Sequence, residues 1–310
     1  MDKKSALLII NPISGTGNIE KTTKKIKDYF SDSDFKYDIV KTQYRGHAIE
    51  ISKENKDKYD LIVAVGGDGT INEVTKGLAG SNCIMGIIPS GSGNGLARHL
   101  NLPIRIKDAI DVIKKGKTKF IDTATINNNH FVNVAGIGFD AHIAHLFANT
   151  KKRGAIPYIK LATLEFQQYQ AKEYEVIIDE KKYNIKAFLI SFANSSQFGN
   201  NAYISPHAII NDGLLDVCMM SEFPMIEAGQ LAIKLFNKRM DKTKYMNIVR
   251  GKHITIKSKD EIKAHIDGEP IILPNKFDVN IFENNLQVIY NTNKSLFETI
   301  NDKISELQDL

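Results

Sequence analysis

From Ser5 onward, short apolar runs alternate with glycine-rich or polar turns and then with amphipathic stretches. The runs are Ala6–Ile10, Tyr37–Thr42, Leu61–Val65 and Ile84–Ile88, and the stretches Ile19–Phe30, Ala48–Glu54, Thr70–Leu78 and Asn94–Leu100 have helical spacing. A strand that is apolar throughout, rather than at every second residue, is covered on both faces, as in a parallel sheet. The first third therefore predicts a doubly wound α/β domain.

After a further helix over Ile106–Lys115 the rhythm changes. Thr118–Ile126 is joined by Asn127-Asn128-Asn129 to His130–Ala135, and Tyr174–Ile178 by Asp179-Glu180-Lys181 to Tyr183–Asn194, which predicts antiparallel hairpins. Helical stretches interrupt near Gly154–Ala171 and Met225–Asn237, and strands resume from Met246 to Tyr290. The pattern divides the chain into an α/β domain over residues 1–122 and a mainly antiparallel β domain over 123–294. Leu296, Ile300, Ile304 and Leu307 add a terminal helix over 295–310, whose docking partner the sequence leaves open, the first domain being one option.

Composition narrows the field. A length of 310 residues suits about two domains of roughly 150 residues. The 41 Lys+Arg against 36 Asp+Glu leave a net charge of +5, too mild for a dedicated nucleic-acid binder. That charge suits phosphorylated ligands or an anionic membrane surface. Cys83 and Cys218, the only cysteines, give neither a disulfide framework nor a thiolate zinc site, which points to the cytosol. Ala6–Ile10 is too short for a signal peptide, and nothing approaches the roughly 18 apolar residues of a membrane span. A protein of this kind visits a membrane rather than living in it.

The strongest local feature is Gly66-Gly67-Asp68-Gly69-Thr70-Ile71-Asn72-Glu73, which follows an apolar strand and opens a helix. Glycines at such a turn expose backbone N–H groups at a helix N-terminus, a place for phosphate, and glycine also permits φ > 0. A carboxylate beside phosphates calls for a cation, so Mg²⁺ is expected near Asp68. Thr70 to Glu73 also fits a capping box, in which Glu73 reaches back to the cap N–H. Two further loops, Asn11-Pro12-Ile13-Ser14-Gly15 and Pro89-Ser90-Gly91-Ser92-Gly93-Asn94-Gly95, follow the first and fourth strands. In a parallel sheet all three loops lie on one edge and converge on one ligand. No P-loop signature occurs. Gly136-Ile137-Gly138-Phe139-Asp140-Ala141 matches a dinucleotide turn, but no strand-end acid follows about 20 residues later. The histidines, including His47, His142, His145 and His265, offer no metal spacing. Arg98 suits either phosphate or a helix surface.

These loops resemble the motifs of the diacylglycerol kinase catalytic-domain family, which includes bacterial lipid kinases and sphingosine kinases. The resemblance continues through Asn133 to Asp140, Pro206 to Leu214 and Asp267-Gly268-Glu269. It implies an N-terminal nucleotide domain, a C-terminal β-sandwich, a cleft between them, and ATP with Mg²⁺. It further implies ATP contacts at Asn11, Pro12, Ile13, Ser14 and Gly15, at Thr42, at Gly66, Gly67, Asp68, Gly69, Thr70, Ile71, Asn72 and Glu73, and at Ser92, Gly93 and Asn94. A metal would be held by Asp212 with the carbonyls of Ile209 and Leu214, although Asn211-Asp212-Gly213 is by itself an ordinary turn. Asp267, with Glu269 second, would take the acceptor's proton, although Asp-Gly between apolar runs is also a plain hairpin signal.

The reading that follows is an ATP-dependent lipid kinase in transient contact with the inner face of a membrane. Its substrate is diacylglycerol or a sphingosine-like lipid. Bacterial diacylglycerol kinases often carry Asn-Asp-Phe in the third loop, whereas Gly93-Asn94-Gly95-Leu96-Ala97 is closer to the sphingosine kinase form. Ala155–Ala171, with Ile156, Ile159, Leu161, Leu164 and Phe166, reads either as a lipid-facing wall or as a core helix. An NAD kinase and a non-catalytic nucleotide or lipid sensor are the alternatives. Oligomeric state is left open, with a homodimer among the options.

Overall fold

A computed structural model of the chain describes residues 4–14, 19–31, 35–150 and 154–293, so Gly15 and the helix expected over 295–310 lie outside the described residues. The chain divides into two units, one taking it through Ile121 and again from Asn284, the other running from Asp122 to Glu283.

In the first unit, strands β1 (Lys4–Ile10), β2 (Phe35–Lys41), β3 (Leu61–Gly66) and β4 (Ile84–Pro89) alternate with helices α1 (Ile19–Phe30), α2 (His47–Asn55), α3 (Asp68–Leu78), α4 (Gly95–His99) and α5 (Ile106–Lys115). The strands are parallel in the order β2-β1-β3-β4. Every residue of β3 is buried, as its unbroken apolar run requires, whereas the edge strand β2 alternates between half-buried and exposed. From β1 the chain steps one way to β2 and the other way to β3. The carboxyl ends of β1 and β3 thus flank a topological switch point, where ligands of open α/β sheets bind.

The second unit begins within β5 (Thr118–Ile126) and continues through β6 (Asn129–Phe131), β7 (Val134–Gly138), α6 (Phe139–Ala148), α7 (Ala155–Phe166), β8 (Lys172–Ile178), β9 (Lys181–Ala187), β10 (Leu189–Ala193) and β11 (Leu215–Met220). Then follow α8 (Ala228–Phe236), β12 (Met246–Gly251), β13 (His253–Lys257), β14 (Ile262–Ile266), β15 (Glu269–Leu273) and β16 (Lys276–Ile289), whose last residues belong to the first unit. One layer is an antiparallel sheet in the order β12-β11-β10-β7-β14-β15, and the other pairs β16, β13, β8 and β9. Ile137, Ile190, Phe192 and Val217 meet Val176, Ile254, Ile256 and Phe277 between the layers, with Phe192 and Phe277 edge to face at 6.2 Å. The outer face of the six-stranded sheet is covered as well, Leu189, Cys218 and Met220 packing with Leu231 of α8, so β10 and β11 are buried at every residue.

Two runs that read as single strands are broken. His130–Ala135 is split at Val132-Asn133 into β6 and β7, and Tyr183–Asn194 at Phe188 into β9 and β10. At each break the chain leaves one layer of the sandwich for the other. Helix α7 is not a core helix: none of its described side chains is buried, and Ile156, Ile159 and Leu164 are exposed.

Both cysteines are buried. Burial lifts the Cys83 thiol to about 11 and pushes Cys218 further above its ordinary value, so neither carries a thiolate at neutral pH. In the native protein neither should react with an aromatic disulfide reagent at pH 8, and both should react in denaturant. Prompt native labelling of either would refute the packing.

Candidate functional site

The loops that leave β1, β3 and β4 are bonded to one another. Asn11 donates its backbone N–H to the Val65 carbonyl at 3.1 Å and its side-chain amide to Thr70 Oγ1 at 3.0 Å. Its own Oδ1 accepts the Ile13 N–H at 3.1 Å, which curls the first loop back on itself. Ser14 Oγ donates to the Asn11 carbonyl at 2.8 Å and lies 3.0 Å from Ser90 Oγ, while the Ser90 N–H donates to the Gly66 carbonyl at 2.9 Å. Thr42, buried at the end of β2, donates to the Ile10 carbonyl at 2.9 Å. Of the residues expected at this edge, Ile71 and Asn72 are buried, whereas Gly67, Asp68, Gly69, Ser92 and Gly93 remain at least partly accessible.

The glycines serve close approach. A Cβ on Gly91 would stand 2.5 Å from the Gly67 Cα, and one on Gly66 would stand 2.4 Å from Thr70 Cβ. None of Gly66, Gly67 and Gly91 adopts the left-handed backbone expected from the sequence; Gly67 has φ −92°, and Asn94 is the residue of these loops with positive φ, 51°. Asn94 holds that conformation by clasping Gly91, whose N–H it accepts at 2.9 Å and to whose carbonyl it donates at 2.7 Å. Arg98 Nε donates to the Gly93 carbonyl at 3.0 Å.

Two acids of the glycine-rich turn have partners that the sequence did not reveal. Helix α3 starts at Asp68 with Gly67 as its cap, so the capping box at Thr70 does not form. Glu73 instead accepts the N–H groups of Gly46 and Ala48 at 2.8 and 3.2 Å and caps α2. The two oxygens of Asp68 accept the N–H groups of Asn94 and Gly95 at 2.8 and 2.7 Å. The start of α4 therefore offsets a charge for which the sequence invoked a cation. The first N–H groups of α3 have no acceptor within the helix, and they lie at the positive end of its dipole beside the half-exposed Gly67–Gly69.

In the second unit, Asp267 and Gly268 form the two-residue turn between β14 and β15, with φ of 49° and 87°. Such a turn needs both residues left-handed, which Asp-Gly tolerates. The Asp267 carboxylate is buried and accepts the N–H groups of Val132, Asn133 and Val134 at 3.1, 2.9 and 3.1 Å. Those donors sit where the chain changes layers between β6 and β7, so Asp267 completes the break. Glu269, one residue past the turn, is half-exposed.

Asp212 is exposed, accepts the Leu214 N–H at 3.1 Å through Oδ1, and has Oδ2 3.8 Å from an Arg250 nitrogen. One carboxylate with the carbonyls of Ile209 and Leu214 is the donor set of a hard cation, so these residues fit Mg²⁺, with Arg250 as a competitor for the same oxygen. Among the described residues no group of three or more His, Cys, Asp or Glu could hold a metal by side chains.

The dinucleotide-like turn has another explanation. A Cβ on Gly136 would fall 2.3 Å from Asp140 Oδ2 and 2.9 Å from His265 Nε2, and one on Gly138 2.6 Å from the Phe188 carbonyl, so the turn is filled by protein. Asp140 and His265 form a buried pair at 3.1 Å that also accepts Ser191 Oγ at 3.1 Å. Sequence reasoning missed it because the partners are 125 residues apart. His142 pairs with Glu165 at 2.8 Å, and His145 Nε2 lies 3.1 and 3.0 Å from the carbonyls of Ala264 and Ile271, so neither is placed for metal binding.

Residues 5–126 match the diacylglycerol kinase catalytic domain, and residues 133–290 match the YegS C-terminal NAD kinase beta sandwich-like domain. The chain is 27% identical over 288 residues to a diacylglycerol kinase of Bacillus subtilis, covering 90% of this chain and 94% of that one. It is 26% identical over 272 residues to a diacylglycerol kinase of Staphylococcus saprophyticus, covering 86% and 89%. A putative diacylglycerol kinase from Bacillus anthracis superposes with a TM-score of 0.78 at 28% identity, covering 93% of this chain and 98% of that one. An NAD kinase from Archaeoglobus fulgidus in complex with ATP shares the fold, with a TM-score of 0.55 at 13% identity over 97% and 98% of the two chains. The two matched domains follow one another in the order of the two units. The chain belongs to the diacylglycerol kinase catalytic-domain family.

Gly91→Ala should lower the unfolding free energy by about 1–3 kcal/mol, because the added methyl overlaps the Gly67 backbone. Gly229→Ala, on an open face of α8, should raise it by about 0.5–1 kcal/mol. Denaturant titration of both variants tests the interlock, and equal effects would count against it.

Proposed function

We propose that the protein transfers the γ-phosphate of ATP to a hydroxyl of a membrane lipid. The observation that carries this reading is the half-exposed Gly67–Gly69 backbone at the N-terminus of the 11-residue α3, framed by two bonded loops in a chain of this family. The triphosphate lies over the first N–H groups of α3, with Asn11 to Ser14, Thr42, Ser92 and Gly93 beside it. The lipid hydroxyl oxygen attacks the γ-phosphorus, the bond to the bridging oxygen of ADP breaks, and the hydroxyl proton passes to a carboxylate. We assign that acceptor to Glu269 rather than to Asp267, whose oxygens already serve three backbone N–H groups. Mg²⁺ near Asp68 would supply charge neutralisation for the phosphates, and a metal held by Asp212 with the carbonyls of Ile209 and Leu214 would give order to that loop rather than touch phosphate.

A lipid acceptor requires contact with a bilayer, and the second unit offers a face for it. Among the described residues no helix is long and apolar enough to cross a membrane. Yet Met225, Ile226, Ile233 and Phe236 are 46%, 89%, 62% and 39% exposed along one segment, and Phe223 touches Phe166 of the exposed helix α7, with ring centroids 5.0 Å apart. Residues 221–245 carry five cations (Lys234, Lys238, Arg239, Lys242, Lys244) against three acids (Glu222, Glu227, Asp241). An apolar stripe rimmed by net positive charge suits an anionic bilayer at the inner face of a membrane.

The reaction is tested by transfer of labelled γ-phosphate to diacylglycerol, monoacylglycerol, sphingosine, ceramide and a polyprenol in mixed micelles, and to NAD. Label should enter one lipid, Glu269→Gln should abolish transfer without changing Tm, and Asp267→Asn should lower Tm. Label in NAD would establish the NAD kinase reading, and ATP binding with no transfer anywhere would establish a sensor. Full turnover in Glu269→Gln would end its assignment. For the bilayer face, Ile226→Asp with Ile233→Asp should weaken sedimentation with anionic vesicles about ten-fold or more. Unchanged sedimentation would reject that face.

A further inference from the structure

A cavity of about 280 Å³ opens in the second unit where the chain changes layers between β9 and β10. Its floor is apolar and buried, formed by Ala187, Met219, Met220 and Met246. Ala187 is the last residue of β9, and the next N–H, that of Phe188, is fixed to the Met220 carbonyl at 2.7 Å. The corner between the layers therefore receives only a methyl group from that side. The three methionines around it are unbranched and flexible, and such side chains re-pack around ligands of irregular shape. An apolar cavity of about 150 Å³ holds a benzene ring, so roughly twice that volume takes a hydrocarbon chain of about ten carbons. At the mouth, Lys186 lies 2.9 Å from Glu222 and Lys244 lies 3.8 Å from Glu227. Two cations against two acids leave no net charge for an anionic head group, so the ligand this cavity selects is defined by its chain.

The sheet separates this cavity from the turn that carries Glu269. In the order β12-β11-β10-β7-β14-β15, the lining strands β11 and β12 form one edge and β15 the other. With neighbouring strands about 4.8 Å apart, β11 and β15 are roughly 20 Å from one another. A chain bound here is therefore not the acceptor at its reacting hydroxyl. The cavity instead adjoins the exposed apolar segment. Ser221 and Tyr245, both in its lining, open and close the stretch 221–245, and the Ser221 N–H donates to the Tyr245 carbonyl at 2.9 Å. That stretch bears the exposed Met225, Ile226, Ile233 and Phe236. We propose that the cavity takes one hydrocarbon chain of a bilayer lipid, as a second lipid site distinct from that of the acceptor, and so pins the 221–245 segment to the membrane. This rests on the bilayer face proposed above and adds the lipid chain that the face holds.

The test is a chain-length series, in which straight-chain primary alcohols from hexanol to tetradecanol displace a fluorescent polyene fatty acid from the native protein. Each added methylene should tighten binding about four-fold up to roughly ten carbons, and further ones should add nothing, because only a buried methylene contributes. Ala187→Met, which fills part of the floor, should move that break to a shorter chain. Ser221→Phe narrows the mouth from an exposed position and should weaken decanol without touching the packed floor. Affinity that climbs without a break, or binding that neither substitution alters, would overturn the cavity as the site. In sedimentation with vesicles of phosphatidylglycerol and phosphatidylcholine, both variants should bind more weakly than the native protein. Native sedimentation in variants whose alcohol binding is impaired would overturn the bilayer as the source of the chain and leave a site for a free single-chain lipid. Unchanged sedimentation in Ile226→Asp with Ile233→Asp would instead overturn the bilayer face itself, a result the alcohol series cannot produce.

Discussion

Backbone N–H groups at breaks in regular structure must find acceptors, and in this molecule carboxylates supply them. Asp68 takes two at the start of α4, Glu73 takes two at the start of α2, and Asp267 takes three where the chain changes sandwich layers. Asp122 takes the Gly213 N–H at 2.7 Å, and Asp179 takes those of Lys252 and His253. An unpaired buried N–H costs about 1–3 kcal/mol, so the loops cannot be moved independently of these acids. Each acid lies on a segment other than the one it serves. The loops are therefore placed by the fold as a whole rather than by their own sequences.

This arrangement separates two meanings that acidic residues carry in a motif. Asp68 and Asp267 stand in the most recognisable stretches of the chain, and both are occupied by main chain. Where an acid already accepts several N–H groups, its removal disturbs position before chemistry, so loss of turnover on mutation does not by itself identify a proton acceptor. Glu269 and Asp212 lie closer to solvent, and there an acid can meet a ligand without releasing the fold.

The sequence revealed whatever depends on a residue and its near neighbours. β1 from Ala6 onward, β3 and β4 are apolar because both faces are covered, and the loops after them carry glycine because backbones meet there. What escaped was set by distant partners. Phe188 and Val132-Asn133 sit inside runs of good strand formers, and only the existence of a second layer explains the breaks. Thr70 to Glu73 satisfies the local rule for a capping box, but Gly46, 27 residues away, competes successfully for the glutamate. The apolar character of α7 is plain in its sequence, whereas its exposure is a property of what does not pack against it. The Asp140–His265 pair left no trace in spacing at all.

The turn between β14 and β15 has two residues, with Ile266 paired directly to Glu269 across its base. Side chains in a strand change face at every step, so a one-residue slip of β15 against β14 would carry the Glu269 carboxylate to the opposite side of the sheet. The turn that sets this register also sets Asp267 at the layer break, so a change in its length disturbs two placements at once. Among relatives of this chain, the length of this turn should therefore be inherited more strictly than the identity of almost any residue around it.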